Sequence, residues 1–303
     1  MRSELLHHLA LSAPPENSVS SIVKQLKGAS SLRLLDMHPE LRSQYWKRKG
    51  ERPAGLKQIA DDLSEKGRGS TYYAAMEKNL TDGVKGTLTL SDGSNLPFRL
   101  IGILHDDKAD GSGRKAGLTF IAWNALPKAY AMNNSYTNMG GWRDSLLRNQ
   151  MNNGEIWNQF PTDFQNNVTP VLKQTNNMAD GSSFGSSASA TADKVWLVSY
   201  RELVSTMYDG WKTSGGFQAL NQEGSQYEYF SGKVTNRLDN SILSGIYKTV
   251  SGSTPLGAND YSWWERSPDP SQQGKFLKVY STGKPNDYYS AYYRYSVVPA
   301  FSF

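Results

Sequence analysis

The 303-residue chain contains no cysteine, so disulfides, zinc-thiolate sites, iron–sulfur clusters and cysteine nucleophiles are all excluded. Histidine is nearly as scarce. His7, His8, His38 and His105 are the only four, so a Ser-His-Asp arrangement in most of the chain would have to be assembled around His105 alone. A histidine-carboxylate metal site beyond that residue lacks its imidazoles. No GxGxxG or GxxxxGK[ST] fingerprint is present, which leaves no reason to expect a nucleotide, and no cofactor is expected. No stretch approaches the roughly 18 apolar residues of a membrane span, and the N-terminus lacks the charged flank and apolar core of a signal peptide. The expectation is a cytoplasmic protein, or one carried to a virion or cell surface by another route.

What is abundant is aromatic. Eight Trp, 17 Tyr and 10 Phe accompany a hydrophobic fraction of only 38% and a mean hydropathy of -0.59; these large rigid side chains mark a globular protein. The length suits one large domain or one domain with a smaller attachment. Net charge is +5, and about four of those charges fall in residues 1–68, mostly through Lys47, Arg48, Lys49 and Arg52. A basic run of this size can touch phosphate. A solvated surface or linker is its commoner use, and nucleic acid is not the expected partner.

Asn17 and Ser18 stand ahead of Val19, Ile22, Val23 and Leu26 at helical spacing, predicting an amphipathic helix over 17–41 with a break at Gly28. A second helix is predicted from Pro53 to about Glu65. GRGS at 67–70 reads as a hinge, dividing the chain into a helical head, 1–68, and a second domain, 69–303. A short helix around Tyr72–Leu80 comes next. Alternating Thr87, Leu88, Thr89 and Leu90, then Phe98, Leu100, Ile101 and Ile103, flank Asp92-Gly93, a hairpin signal. Residues 117–123 read as a strand, 141–160 as one or two helices, 180–193 as an exposed polar loop and 193–203 as a buried strand. From about 205 the chain is loop-rich, with short strands at FLKVYS and SVVPAFSF. The predicted fold class is α+β: short strands, two helices and long loops that carry the function, preceded by a small helical N-terminal segment.

Asp106, Asp107 and Asp110, with Gly111 and Gly113, superficially suggest calcium. The bidentate Glu an EF-hand needs about 12 residues along is missing, so a solvated turn is expected, with Asp side chains capping loop amides and no metal. Glu223 and Glu228 are acids a two-carboxylate glycosidase would need, yet a surface role is the simpler reading.

The informative region is the end, YSWWERSPDPSQQGKFLKVYSTGKPNDYYSAYYRYSVVPAFSF. Consecutive Trp263 and Trp264 point to opposite faces of an extended segment, one into the core and the other free to line a surface. Tyr288, Tyr289, Tyr292, Tyr293 and Tyr295 fall within eight residues, more phenols than one core satisfies. Tyr, Ser, Asn and Asp are what binding loops favour. The candidate ligand contacts are Trp264, Glu265, Tyr280, Asn286, Asp287, Tyr288, Tyr289, Tyr292, Tyr293 and Tyr295, with no catalytic residue; Lys284 and Arg294 are suited to stacking on sugars or pairing with acidic groups.

Two resemblances add to this reading. KAGLTF (115–120), MNNSYTNMGGWRDSLLR (132–148), DKVWLVSYREL (193–203), EGSQYEYF (223–230), YSWWERSP (261–268) and VVPAF (297–301) resemble a bacterial and phage domain. Its tail commonly reads Trp-Trp-Leu-Arg-Ser-Pro and Gly-Val-Arg-Pro-Ala-Phe; here Glu265 replaces Leu, Ser296 replaces Gly and Val298 replaces Arg. The layout is also similar to the variable proteins of diversity-generating retroelements, in which a C-type-lectin fold holds a hypervariable C-terminal ligand-binding surface. There, mutation of template adenines turns Asn codons into Tyr, Asp, Ser and Ala codons, the composition of residues 286–293. The second resemblance covers 8–46, which is similar to single-tyrosine HUH transposases after their His-hydrophobic-His motif. His8 matches the second histidine of that motif, but Leu6 stands in place of the first, and the chain departs before the catalytic-tyrosine helix.

The resemblances imply a C-type-lectin-like binding protein, not an enzyme, whose partner is a protein or carbohydrate on a target surface. The N-terminal segment is a candidate contact between copies of the chain. The alternatives are a DNA-binding, transposase-derived protein, a surface domain with one fixed protein or carbohydrate ligand, and, weakest, an enzyme on the scaffold of the formylglycine-generating relatives.

Overall fold

The computed structural model describes residues 52–82, 85–178, 184–246 and 255–303; the helix expected over 17–41 lies outside them. The chain divides at Gly50/Glu51, and every described residue belongs to the C-terminal unit. Helix α1 (Arg52–Lys66) buries Leu56, Ala60 and Leu63, one stripe at i, i+4 and i+7. A Cβ at Gly117 would lie 2.0 Å from the Ala60 carbonyl oxygen, so this glycine lets the helix backbone approach the domain. The expected boundary at 68/69 therefore moves upstream: α1 is part of the domain core. GRGS is a fastened corner and not a hinge, because Gly67 takes φ +58 into a 3-10 turn and the Ser70 hydroxyl donates to Asp62 Oδ2 at 2.5 Å.

Helix α2 (Tyr73–Asp82) leads into β1 (Lys85–Thr89) and β2 (Asn95–Ile103). The Asp92-Gly93 turn forms as the sequence predicts. Gly93 takes φ 84, and the Ser94 N–H donates to Asp92 Oδ1 at 2.9 Å. Then come β3 (Leu118–Ala122), β4 (Tyr130–Ala131), α3 (Leu146–Asn152), α4 (Thr162–Asn167), β5 (Val171–Thr175), β6 (Ser189–Asp193) and β7 (Val195–Trp196). After α5 (Tyr200–Leu203), α6 (Phe217–Asn221) and α7 (Ser241–Ile246), the strands are β8 (Trp263–Pro268), β9 (Lys275–Val279), β10 (Asp287–Ser290), β11 (Arg294–Tyr295) and β12 (Ala300–Ser302). Helix α1 packs on α4.

The main sheet is antiparallel, in the order β1-β2-β3-β12-β7, so the last strand lies between β3 and β7. Its two faces differ. Phe98, Phe120 and Phe301 share one face, with Phe98–Phe120 centroids at 5.3 Å and Phe164–Phe301 at 4.9 Å, forming the aromatic core. On the other, Thr119 and Ser302 hydroxyls meet at 2.9 Å and start a buried polar layer. A second sheet, β10-β9-β8, and two strand pairs, β4 with β11 and β5 with β6, complete a mixed α/β domain of small antiparallel sheets and few, short helices.

Two segments differ from expectation. Residues 193–203 are not one strand: Ser199 caps α5 by accepting from the Glu202 N–H at 3.2 Å, while the Glu202 carboxylate accepts from the Ser199 N–H at 3.0 Å. The 180–193 loop contains β6, where Thr191 and Asp193 are buried against β5 and the intervening alanines face outward. Replacement Leu63→Ala is expected to cost about 2–5 kcal/mol in urea unfolding of the whole chain; a change below about 0.5 kcal/mol would mean α1 is an appendage.

Candidate functional site

Strand β8 carries Arg266 into the interior, where the side chain is completely buried. Nη1 and Nη2 reach the two Glu202 oxygens at 2.5 and 3.0 Å, a two-pronged pair. The guanidinium also donates to Thr175 Oγ1 (2.9 Å), Leu197 O (3.0 Å), Gln174 O (3.1 Å) and Glu223 O (2.9 Å). Lys173 on β5 extends the network, pairing with Glu202 and, at 2.6 Å, with Asp106 Oδ1. Thr119 and Tyr227 hydroxyls donate to Asp106. Burial pushes both carboxyls up. At Asp106 the Lys173 and His105 charges and the Lys173 and Thr119 hydrogen bonds together more than offset this, bringing it to about 2, and Arg266 and Lys173 bring Glu202 below the usual range.

Asp106 is therefore no solvated turn residue; in the same loop Asp110 does cap an amide, accepting from Ser112 N–H at 3.0 Å. Glu223 is not the surface acid expected either. It is fully buried, accepts from the Asn176 N–H at 2.8 Å and from the Ser267 hydroxyl, and burial pushes its carboxyl to about 7. Glu265, the residue after Trp264 on β8, is buried with no hydrogen-bond partner for either oxygen among the described residues. Burial and the Glu223 and Asp287 charges push its carboxyl far up.

The expected contacts divide by accessibility. Trp264, Glu265, Asn286 and Tyr295 are buried and offer no contact surface. Both tryptophans are core, against the expectation of one free ring, because both faces of β8 are covered, Trp264 by the Tyr295 ring at 4.8 Å and Trp263 from α7; the outer edge is paired too, Trp264 N–H donating to Ser296 O and Arg266 N–H to Val198 O, both at 3.1 Å. The indoles are anchored, Trp264 Nε1 to Tyr130 O at 2.9 Å and Trp263 Nε1 to Leu243 O at 3.3 Å. Tyr280 (41%), Tyr289 (41%) and Tyr292 (47%) are exposed, and Asp287, Tyr288 and Tyr293 half-buried.

The accessible rings form a connected surface. Tyr289 and Tyr293 meet edge to face at 4.6 Å, Tyr293 and Tyr292 at 4.8 Å, and Tyr292 and Tyr136 at 6.5 Å. Tyr288 projects from the other face of β10, with Lys275 Nζ 4.8 Å from its ring. Beneath the patch lies buried Lys278, whose Nζ bonds Ser262 Oγ at 3.0 Å and pairs with Asp287 at 3.1 Å and Asp260 at 3.5 Å. The same ammonium is 4.3 Å from the Tyr295 ring, 5.1 Å from Tyr280 and 5.5 Å from Tyr289. One buried cation thus ties these rings to the sheet.

Tyr136, 55% exposed, was not among the expected contacts. Gly274 makes room for it, since a Cβ there would lie 2.5 Å from its ring. Its signal was a lone tyrosine in an Asn/Ser/Thr loop.

His105 sits between Glu228 Oε1 (Nδ1, 3.2 Å) and Ser225 Oγ (Nε2, 3.4 Å). The Ser225 contact is long for proton transfer and the Glu228 side chain is 47% exposed. Burial lowers the imidazole pKa, but the Glu228 hydrogen bond and the Asp106 charge outweigh it and the pKa ends above the usual value, which works against a neutral general base. Among the described residues no group of three or more metal-ligating side chains is arranged for an ion, and no helix is long and apolar enough to cross a membrane.

Fold and site define a loop-rich mixed α/β domain with a tyrosine surface held over a buried ionic core. The chain belongs to the family described as a domain of unknown function, DUF6273, whose model matches residues 116–303. A model described as transposase, IS200 like, matches residues 6–50, up to the division between the two units; it names an enzyme type, and the similarity covers only that segment. No curated protein and no solved structure matches the chain.

Replacing Glu265 by the leucine usual in the resembling tails is expected to raise stability by about 1–3 kcal/mol, the cost of an unsatisfied buried polar group. Glu223 and Glu265 hold protons in the folded state that they release near 4.5 when unfolded. Stability should therefore fall as pH rises from about 4.5 through about 7, where Glu223 ionises in the folded state, and Glu265→Leu should flatten that slope; an unchanged slope in denaturant titrations counts against a protonated Glu265. Arg266→Met, which strands Glu202 without its guanidinium, is expected to cost about 3–5 kcal/mol by the same titration.

Proposed function

We propose that this domain is a recognition module, binding a protein or carbohydrate on a target surface through the tyrosine patch, and that it performs no catalysis there. The observation that carries the reading is the run of contacting, accessible rings, Tyr136–Tyr292–Tyr293–Tyr289, above buried Lys278. Packed tyrosines give large contact area at low entropy cost. The scaffold in this reading is C-type-lectin-like; its supports are the short antiparallel strands, the late strand β12 inside the main sheet and the separate β8-β9-β10 sheet that carries the loops.

The tail is, in the same reading, a segment diversified by a retroelement. Tyr280, Tyr288, Tyr289, Tyr292 and Tyr293 are the positions where substitution leaves the core intact, whereas Trp264, Glu265, Asn286 and Tyr295 are not, and Asp287, though half-buried, pairs with buried Lys278. Sequencing natural copies should find variation concentrated at the accessible positions, with an adenine-rich near-copy of the codons nearby; an invariant tail leaves a fixed-ligand binding domain.

The match over residues 6–50 favours a second reading, DNA binding by a transposase-derived segment. The two separate in one experiment: the whole chain is tested against a glycan array, a panel of cell-surface proteins and a DNA duplex, at 50 and 200 mM salt. Binding lost on Tyr289→Ala/Tyr292→Ala with an unchanged thermal transition, and little affected by salt, is the expected result, at about 2 kcal/mol or more per hot-spot ring. Duplex binding that weakens steeply with salt and ignores the tyrosines would establish the DNA reading instead.

A further inference from the structure

Away from the tyrosine patch, Arg99 of β2 sits in a corner between two rings. Its guanidinium carbon is 3.9 Å from the Tyr229 centroid and 5.1 Å from that of Trp123, and the rings themselves meet edge to face at 5.8 Å. Arg99 is 9% exposed; Nε has no hydrogen-bond partner, and Nη2 reaches only the Leu80 carbonyl, at a long 3.4 Å. Lys233 approaches the same tyrosine, with Nζ 4.2 Å from the centroid, and its side chain is exposed. Among the described residues neither cation forms an ion pair with a carboxylate. The other buried cations do otherwise: Arg266 pairs with Glu202, Lys173 with Asp106, and Lys278 with Asp287.

A guanidinium taken out of water without an acid is costly. Stacking on aromatic faces returns about 0.5–2 kcal/mol per contact, but it occupies the faces of the guanidinium and leaves its edge, where the N–H donors lie, uncommitted. Two like charges around one ring also repel, and the Lys233 ammonium is lowered by burial and by the Arg99 charge. The pair therefore lacks one component, a counter-charge with acceptor atoms that fits a planar fork and a nearby ammonium. A tetrahedral dianion carries acceptors for a planar fork and for an ammonium together, whereas chloride lacks the paired acceptors and a carboxylate carries half the charge.

We propose that Arg99 and Lys233, framed by Trp123 and Tyr229, form a binding site for a phosphate or sulfate group. Arg99 supplies in-plane donors from its Nη nitrogens, Lys233 closes the site as an exposed second cation, and the rings give an adjoining flat surface for the body of a ligand that carries the group. The site shares no residue with the tyrosine patch, so either can fail without the other.

The test is calorimetric titration of the whole chain with inorganic phosphate, and separately with sulfate, against sodium chloride and sodium acetate at matched ionic strength. Saturable binding of phosphate or sulfate, not reproduced by chloride or acetate, is expected. The arm with the tighter Kd names the group. Lys233→Gln, a surface change that leaves the fold intact, is expected to weaken binding about tenfold, and Arg99→Met to abolish it, with Arg99→Lys giving only partial recovery because it loses the fork. Phosphate and sulfate heats no different from chloride, or Lys233→Gln binding as tightly as the parent, would overturn the proposal, and the second criterion stands even if Arg99→Met fails to fold.

Discussion

Burying the Arg266 guanidinium against the Glu202 carboxylate commits distant pieces of chain to one arrangement. Arg266 comes from β8, Glu202 from α5, Thr175 and Gln174 from β5, Leu197 from the segment after β7, and Lys173 and Asp106 attach a further loop. Two cations and two anions taken from water cost far more than any one contact returns, so they are tolerated only when all partners are in place. Glu202 does double duty. The carboxylate that neutralises Arg266 also completes the cap of α5, so a shift of that short helix would break the ion pair and its own start together. In a domain with few and short helices, this shared dependence takes the place of long regular elements.

The tyrosine patch inherits its rigidity from the same strand. Trp264 packs edge to face on Tyr295 at 4.8 Å, and Tyr295 lies over Lys278, which reaches the rings above it. Trp264 and Tyr295 are inaccessible, whereas Tyr289 in β10 and Tyr292 in the turn after it are exposed, with buried Ala291 between them. Core and surface are thus separated residue by residue within one aromatic segment. In the proposed recognition role, that separation lets the outer rings meet a ligand while the inner ones keep the sheet in place.

Local signals were legible and distant ones were not. The Asp92-Gly93 hairpin depends on four neighbouring residues, and α1 on its own apolar stripe, so both appear in the sequence almost as they fold. The Ser199-x-x-Glu202 capping box was equally local, but the apolar run before it suggested a longer strand. Strand β6 carries alanine on its exposed side and Thr191 and Asp193 on its buried side, the reverse of the usual pattern, and so it reads as a loop. Trp263 and Trp264 alternate as expected; what covers the two faces, Leu243 on the Trp263 side and Tyr130 and Tyr295 on the Trp264 side, comes from outside β8. Glu223 and Glu265 were misread because charge usually predicts exposure, and only the fold reveals that one is hydrogen-bonded in the interior and the other has no partner. The tyrosine cluster was visible from composition alone; which phenols face outward, and that Tyr136 joins them, was not.

The position of β12 bears on how the protein is made. This strand joins β3 to β7, yet it leaves the ribosome after every other strand of the sheet. Until Ala300–Ser302 emerge, Phe120 and Phe164 lack the Phe301 ring they pack on, and the hydroxyl partner of Thr119 is missing. The domain must therefore close late, with its aromatic face held open during synthesis, through pairings of long sequence separation that form slowly. A chain cut short anywhere in the tyrosine segment lacks this closing strand, so the sheet itself requires that translation run on past that segment.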